Sequence, residues 1–542
     1  MRRVPDVVPR QALPIVLVGL PGAGKTSVSR ELARLTGMPS IDTDSEVRRH
    51  TRLSIPEIFA QRGEAGFREV EHRAIAHTLQ IAHGIVALGG GAVLHRGTRE
   101  LLRSHTVVHL LVEPDEAVRR VTGGEDRPLL GNDPDAKMRE FHAQRAALYR
   151  DVTTVAVETT GRAPAEIAEE IVEKIRQGIG RVSQVKVPGN RPYSVVLGHG
   201  LNGRIAHLVG GTARRVLLVH APALADRAEA LAAKLTRSRH THHDVKVIRH
   251  VLPAGEAAKS LTVTGQLWDV MGAEQLGRQD VVVALGGGAT TDQGGFAAAT
   301  WLRGIDVVQV PTTVLAMVDA AVGGKTGINT SAGKNLVGAF HPPRGVICDL
   351  DSLETLPRPD RRAGLAEVLK CGLIADPVIL ERVAQDPQAL VDGPVVAMRE
   401  IMERAIEVKA KIVGKDLRES GLRELLNYGH TLAHAIERHS DYQWRHGDAV
   451  AVGCVFAAAL AEELGVAAAG MLDQHREIFT SVGLPVTYPR EAFADLREIM
   501  AQDKKVRDRS LRFVLLRCLA KPQVLVVRDE AALQRAYAAV AE

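Results

Sequence analysis

The chain is poor in aromatic residues and in cysteine: 3% of its 542 residues are Phe, Trp or Tyr, and four are Cys. Those four, Cys348, Cys371, Cys454 and Cys518, are widely spaced and form no CxxC pair. The spacing excludes a disulfide framework and predicts reduced, mostly buried thiols of a cytoplasmic protein. Long apolar runs are missing too; the longest, residues 449–461, is too short to span a bilayer. Lys and Arg cluster only in pairs such as Arg48-Arg49 and Lys504-Lys505, so no nucleic-acid interface is predicted. The net charge of +5 suits small anionic substrates instead. Arg2 and Arg3 ahead of the apolar run 12–20 imitate a signal peptide. That run is short and flows directly into a glycine-rich loop, so a buried first strand is expected.

What the chain does have is length beyond one hydrophobic core, and an α/β rhythm that starts twice. Apolar runs at 15–18, 85–88 and 107–112 read as buried parallel strands between amphipathic helices, the last helix covering roughly 163–177. Three glycines and a proline in GIGRVSQVKVPGN (178–190) mark a boundary. Strands are then expected at 194–197, 216–219, 245–248, 281–285 and 307–310. From about Leu353 helical patterns take over, at 395–412, 422–437 and 449–463. The expected organisation is an α/β domain over 1–177 and a linker at 178–184. A second α/β domain (185–352) and a mostly helical domain (353–542) follow. No internal repeat or low-complexity segment is present.

GLPGAGKT (19–26) satisfies G-x-x-x-x-G-K-[ST] between a strand and a helix. Backbone N–H groups from Gly22, Ala23, Gly24, Lys25, Thr26 and Ser27 would cradle the phosphates of ATP. Lys25 would reach the β/γ oxygens and Thr26 would ligate Mg²⁺. A GTPase would also carry N-K-x-D, which is absent. In IDTDSEV, Asp42 and Asp44 are placed just beyond a short strand at alternate positions, so both carboxylates are expected to point one way. One would support Mg²⁺ and the other would orient a substrate hydroxyl. GEAGFREVE sets Arg68 in a helix, the run 85–88 ends in Gly89, Gly90 and Gly91, EDRPLL carries Arg127, and QRAALYRDV carries Arg145.

In this order the set resembles shikimate kinase over about residues 10–177. The resemblance implies that Asp44, Arg68 and Arg145 hold shikimate with the Gly89–Gly91 backbone, and that Arg127 folds over the transferring phosphoryl group. Catalysis would then be positioning and charge neutralisation, with Asp44 a candidate acceptor of the hydroxyl proton. Gluconate kinase is the competing small-metabolite reading.

The second half offers a weaker dinucleotide signal and a stronger metal signal. VVVALGGGATTDQGGF (281–296) follows a strand, but Thr291 stands at the last glycine of G-x-G-x-x-G. GGKTGIN (323–329) imitates a second phosphate loop, yet Asp319 occupies the position of its first glycine. In GLAEVLKCGL, Glu367 and Lys370 share a helical face, and in LNYGHTLAHAIE so do His430 and His434. His446 opens the next helix. Glu367, His430 and His446 would leave coordination positions open, as catalytic Zn²⁺ sites do. Packed core histidines are the competing reading. The cluster His240, His242 and His243 reads as a solvated loop.

PAGEAAKS (253–260), the glycine segment, residues 303–343, GLAEVLK, LNYGHTLAHAIE and HGDAVAVG together resemble 3-dehydroquinate synthase from about Val185 onward. The resemblance implies that Glu367, His430 and His446 bind Zn²⁺ or Co²⁺. It places Glu256, Lys259, Gly287, Gly288 and Asp292 at NAD⁺, with Thr312, Thr313, Lys325 and Lys334. It places Arg303, Asp319, Asn335, Lys370 and Lys409 around a phosphorylated seven-carbon sugar acid, with Arg423, Asn427, His434 and Lys505. Such a cation set suits a phosphate plus a carboxylate. The implied reaction is a lyase step in which NAD⁺ is used and regenerated, His434 being a candidate proton relay. Tyr428 stands where phenylalanine is common. The readings that compete here are another sugar-phosphate cyclase, a metal-dependent polyol dehydrogenase, and a nucleotide-sensing scaffold with decayed sites. The resemblance also implies a homodimer through this half. The two activities would not be consecutive, so matched dosage is expected rather than channelling.

Overall fold

The computed structural model describes residues 13–102, 105–122, 133–176, 182–236, 245–419, 421–503 and 511–542. Arg127, Lys505 and the cluster His240, His242 and His243 lie outside the described residues. The chain divides into two compact units, residues 1–182 with 198–203, and residues 183–197 with 204–542. No helix among the described residues is long and apolar enough to cross a membrane.

In the first unit, β1 (Ile15–Val18), β2 (Ser40–Asp42), β3 (Ile85–Ala87), β4 (Thr106–Leu111) and β5 (Val155–Glu158) form one parallel sheet in the order β2-β3-β1-β4-β5. Every residue of β1 is buried, as a central strand covered on both faces by helices requires. Helix α1 (Lys25–Thr36) begins directly behind Gly24, whose φ of 85° belongs to the left-handed region that glycine tolerates. Helix α2 spans Thr43–Thr51, and α3 (Ile55–Ile81) opens with a capping box between Ser54 and Glu57. Helix α4 (Pro134–Val152) carries Arg145.

One expectation fails here. Asp42 and Asp44 do not sit on an alternating strand or loop. Asp42 ends β2 and caps α2, its Oδ1 accepting from the Asp44 backbone N–H at 3.0 Å, while Asp44 lies in the first helical turn. Asp in such a position satisfies an orphan helix N–H, and the local energy of the cap outweighs strand continuation. The two carboxylates therefore point to different neighbours.

The second unit contains a seven-stranded sheet. Its strands are β6 (Ser183–Val187), β7 (Tyr193–Gly198), β8 (Arg215–His220), β9 (Lys246–Val251), β10 (Val281–Gly286), β11 (Asp306–Pro311) and, after a hairpin, β14 (Gly345–Asp349). The order is β6-β7-β14-β11-β10-β8-β9, antiparallel between β6 and β7 and parallel from β14 to β9. The hairpin pairs β12 (Lys325–Thr330) with β13 (Gly333–Phe340). Helix α5 (Gly288–Thr300) follows β10. Its Gly294 lies so close to the strand that a Cβ would sit 2.8 Å from that of Ala284.

The C-terminal helices α6 (Arg358–Ile374), α7 (Arg399–Lys415), α8 (His430–His439) and α9 (His446–Glu463) share one core with the sheet, joining Val195 and Val346 to Leu365, Ile401 and Val450. The expected helix at 422–437 is broken. A 3₁₀ segment, Leu422–Asn427, precedes α8, and Gly429 between them has a φ of 79°. A Cβ on Gly429 would meet Cys454 Sγ at 2.6 Å, so a contact far along the chain decides the break. The C-terminal part also holds an antiparallel pair, β15 (Leu511–Leu516) with β16 (Pro522–Val527), in a region expected to be helical.

Candidate active sites

In the first unit the phosphate loop and the triple glycine meet over the same end of the sheet. Lys25 Nζ donates to the carbonyls of Gly19 and Leu20, each at 2.9 Å, which holds the ammonium above the loop. Thr26 Oγ1 donates to Asp42 Oδ2 at 3.1 Å, the pairing expected of a hydroxyl and a carboxylate that share Mg²⁺. Asp44 instead faces the glycines: a Cβ on Gly89 would lie 2.7 Å from Asp44 Oδ1 and 2.6 Å from Glu71 Oε1. A Cβ on Gly91 would collide with the Arg68 guanidinium at 2.1 Å. Arg145 Nη1 donates to the Gly90 carbonyl at 3.1 Å, and its guanidinium lies 3.9 Å from the centre of the Phe141 ring. Asp44, Arg68, Arg145 and Gly89–Gly91 are thus brought together, with the backbone bare of side chains between two guanidinium groups.

Sequence reasoning missed two residues that shape this site. Glu71, 1% exposed, accepts from Arg68 Nη1 at 2.7 Å; burial raises its pKa against the pull of Arg68. Tyr149 donates to the same Gly90 carbonyl as Arg145, at 2.5 Å, and burial raises its phenol pKa as well. Both stand one turn from a predicted arginine, at Arg68+3 and Arg145+4, and that spacing is the signal that could have found them.

In the second unit, Glu367 on α6, His430 at the start of α8 and His446 at the start of α9 place one ligand atom each within 4.8 Å of one another. Glu367 Oε1 lies 3.5 Å from His430 Nε2 and 3.4 Å from His446 Nε2, buried and without a hydrogen bond. Ligands at about 2.0–2.1 Å from a tetrahedral ion are separated by about 3.3–3.4 Å, so the two separations from Glu367 Oε1 suit a divalent metal. The helices are held by backbone contact. A Cβ on Gly447 would meet the Ala363 carbonyl at 1.8 Å, and one on Gly453 the Gly429 carbonyl at 2.1 Å.

Electrostatics reinforce the cluster. Burial would raise the Glu367 pKa, but Lys370, followed by His446 and His430, holds it well below the usual carboxylate range. Lys370 is paired with Glu367 and kept charged by Glu367 and Asp319 despite burial. Burial opposes charge on both histidines, yet Glu367 and Glu437 push His446 up to about 10, while Lys370 helps to depress His430. His434 sits on the exposed face of α8 with its ring 5.4 Å from that of His430, beside the cluster rather than in it.

Around this centre, Lys409 is paired with Asp319, and Arg423 Nη1 donates to the carbonyls of Gly323 and Leu417 at 3.2 and 2.6 Å. Lys325 and Asn427 both donate to Glu419, at 2.5 and 2.6 Å. Lys259 Nζ donates to Asp292 Oδ2 at 2.6 Å and also reaches Asn335. Glu256 accepts from Asn329 at 2.7 Å. Gly287 and Gly288 start α5, with a Cβ on Gly287 falling 3.4 Å from Thr313 Cγ2; Thr312 and Thr313 follow the end of β11. Arg303 differs from the rest. It is exposed on the 3₁₀ turn Trp301–Arg303 and has no hydrogen bond or ion pair with a described residue. Glu419 and Glu437, which tie the lysines down, were not read from the sequence.

Three family models match the chain: shikimate kinase over residues 21–176, 3-dehydroquinate synthase N-terminal over 249–363, and 3-dehydroquinate synthase C-terminal over 364–506. The 3-dehydroquinate synthase of Rhodococcus opacus (strain B4) is 53% identical over 358 residues, covering 66% of this chain and 95% of that protein. That of Thermobifida fusca (strain YX) is 52% identical over 360 residues, covering 66% and 96%. Among solved structures, a 2-epi-5-epi-valiolone synthase from Streptomyces hygroscopicus subsp. jinggangensis 5008, with NAD⁺ and Zn²⁺ bound, aligns with a TM-score of 0.59 and 27% identity, over 64% of this chain and 96% of that one. With a phosphate loop in one unit and the Glu367, His430 and His446 cluster in the other, the chain belongs to the 3-dehydroquinate synthase family and carries a shikimate kinase domain ahead of the synthase.

Proposed function

We propose that the two sites work as a pair of separate enzymes with the residues assigned as follows. In the kinase domain, ATP lies on Gly22–Ser27, Mg²⁺ is held by Thr26 and Asp42, and shikimate by Asp44, Arg68, Arg145 and Gly89–Gly91. The single observation that supports this best is the separation of the two aspartates, one on Thr26 and the other beside the glycines. Asp44 would then orient the hydroxyl that attacks, while Lys25 and the helix N-terminus neutralise the phosphoryl oxygens.

In the synthase half, Glu367, His430 and His446 would hold Zn²⁺ or Co²⁺, and Glu256, Lys259, Gly287, Gly288, Asp292, Thr312, Thr313, Lys325 and Lys334 would border NAD⁺. When bound, the dinucleotide supplies a reversible two-electron oxidant and the metal polarises a hydroxyl of 3-deoxy-D-arabino-heptulosonate 7-phosphate. The chain's own part is to grip and orient. Lys409, Arg423, Asn335 and Asn427 would offer donors to the phosphate and carboxylate, with Lys370 and Asp319 completing the charged lining beside Glu367 and Lys409. His434 would move a proton at the edge of the cage. Arg303 would offer a further cation to the sugar acid phosphate, and Arg127 and Lys505 keep the roles the family resemblance gives them. The orphaned, buried Glu367 Oε1 is the observation that supports the metal reading.

We assign residues 1–177 to the kinase, 178–184 to the connection, 185–352 to the NAD-binding part and 353–542 to the helical metal- and substrate-binding part, in a cytoplasmic protein with reduced thiols. A homodimer through the synthase half is supported by Leu336, Val337 and Phe340, large apolar side chains exposed on one hairpin. Light scattering tests the dimer, a monomer at micromolar concentration being the contrary result. The test of function is phosphate release from the heptulosonate phosphate with catalytic NAD⁺, with and without a chelator. Chelator-sensitive release without net NADH is expected. NADH accumulating with turnover would mean a dehydrogenase instead.

A further inference from the structure

Glu437 is a glutamate on an amphipathic helix, a position where a solvated side chain is the ordinary outcome, yet it is only 4% exposed. A buried carboxylate requires partners, and it has two of different kinds. His446 Nδ1 donates to Oε2 at 3.2 Å, and Lys334 Nζ donates to Oε1 at 3.0 Å. The first partner is a ligand of the proposed metal cage, turned by this bond so that its Nε2 faces Glu367 Oε1. The second comes from the start of β13, next to Asn335, which accepts from Lys259. Lys334 is further held over the Tyr442 ring, at 4.1 Å, with Glu256 at 4.0 Å. One carboxylate therefore bridges the metal side of the site and the hairpin that borders the dinucleotide.

We infer that Glu437 is a positioning residue that couples metal binding to dinucleotide binding, an inference that rests on the proposed placement of NAD⁺ beside Lys334. The direction follows from charge. A carboxylate shared with an ammonium is a weaker acceptor for the imidazole N–H, and a weaker acceptor leaves the opposite nitrogen a poorer ligand. Dinucleotide phosphates that draw Lys334 toward themselves release Glu437 to His446, so the cage tightens on its ion. By thermodynamic reciprocity a bound ion raises dinucleotide affinity by the same factor.

The test is done on the full chain by titrating Co²⁺ against a chelating indicator, without and with saturating NAD⁺, and by titrating NAD⁺ into metal-loaded and metal-free protein. In the wild type each ligand is expected to tighten the other by about fivefold or more. Lys334→Met should remove this mutual effect, and with the ammonium gone from Glu437 the variant should bind Co²⁺ alone about as tightly as the NAD⁺-loaded wild type does. Glu437→Gln should remove it too, and also weaken Co²⁺ binding by about tenfold or more, as loss of a partner to a ligating histidine does. A purely structural role would lower both affinities yet leave their ratio coupled. Equal coupling in wild type and Lys334→Met overturns the inference, as does independent binding in the wild type. Failure of NAD⁺ to bind at all would instead overturn the underlying reading of the site. Thermal unfolding of the synthase half of the same chain reports whether each variant is folded, and Lys334→Met, at a partly exposed position, decides the matter if Glu437→Gln does not fold.

Discussion

The kinase site and the synthase site treat charge in opposite ways. The first relies on backbone: a loop of N–H groups, a bare triple glycine, and two arginines that donate or lie against neighbouring main chain. The second buries full charges against one another, with Glu367, Lys370, Asp319 and Lys409 in contact and three imidazoles at the edge. A backbone cradle can be written in a dozen consecutive residues, whereas a network of buried ion pairs needs partners brought from five or six elements. The first tolerates loss of any one side chain better as a fold; the second depends on each charge having its counterpart.

Removing a member of each set is the strongest way to test that contrast. Glu367→Ala should abolish both metal retention and phosphate release while shikimate phosphorylation continues, and Lys25→Met should do the reverse; metal content and the two assays on one preparation decide it. Next in size, Lys370→Met should cost the metal-free synthase half about 3–5 kcal/mol, because Glu367 is left as an uncompensated buried charge. The cost should shrink when metal is supplied, since the ion replaces the lost cation. Melting with and without chelator measures this, and an equal cost in both would show that the pair is not electrostatic.

Acid should also separate the halves. Burial holds His475, whose Nε2 meets the Tyr428 hydroxyl at 2.8 Å, down to about 4, against a hydrogen bond to the Met471 carbonyl that acts the other way. Its contribution is complete above the unfolded value near 6.5 and is lost as pH falls toward 4, in total about 3 kcal/mol. Synthase melting should therefore fall over that window, and His475→Gln should flatten the dependence. Gly91→Ala, which pushes the Arg68 guanidinium aside, should raise KM for shikimate about tenfold with KM for ATP unchanged. Smallest of all, halves cut near Gly180 and mixed should match the intact chain within about twofold, as independently folding domains do. A clear loss would show that the linkage matters.

The same contrast explains what could be read in advance. The central strands were legible because continuous burial leaves continuous apolar runs, and the phosphate loop because its whole chemistry is local. The residue types that meet in the Glu367, His430 and His446 cluster were legible, but not by helical spacing. The three come from three helices, and His434, one turn from His430, stays beside the cluster. Hairpin β12–β13 was not, because most of β13 is exposed and no alternation marks it. Nor was the pair β15–β16, embedded among helical patterns. Asp42 was misjudged because a strand's last residue and a helix cap read alike, and Glu437 because nothing local distinguishes a buried glutamate from a solvated one.

The close approach of Gly447 to Ala363 and of Gly453 to Gly429 has a bearing on how such a protein can change over time. Ligand spacing there is fixed by main chain resting on main chain, so it does not depend on the size of the surrounding side chains. Residues that choose the sugar can drift through many substitutions while the proposed grip on an ion stays the same. A scaffold of this kind is a ready starting point for new ring-forming chemistries, provided three or four glycines are left alone.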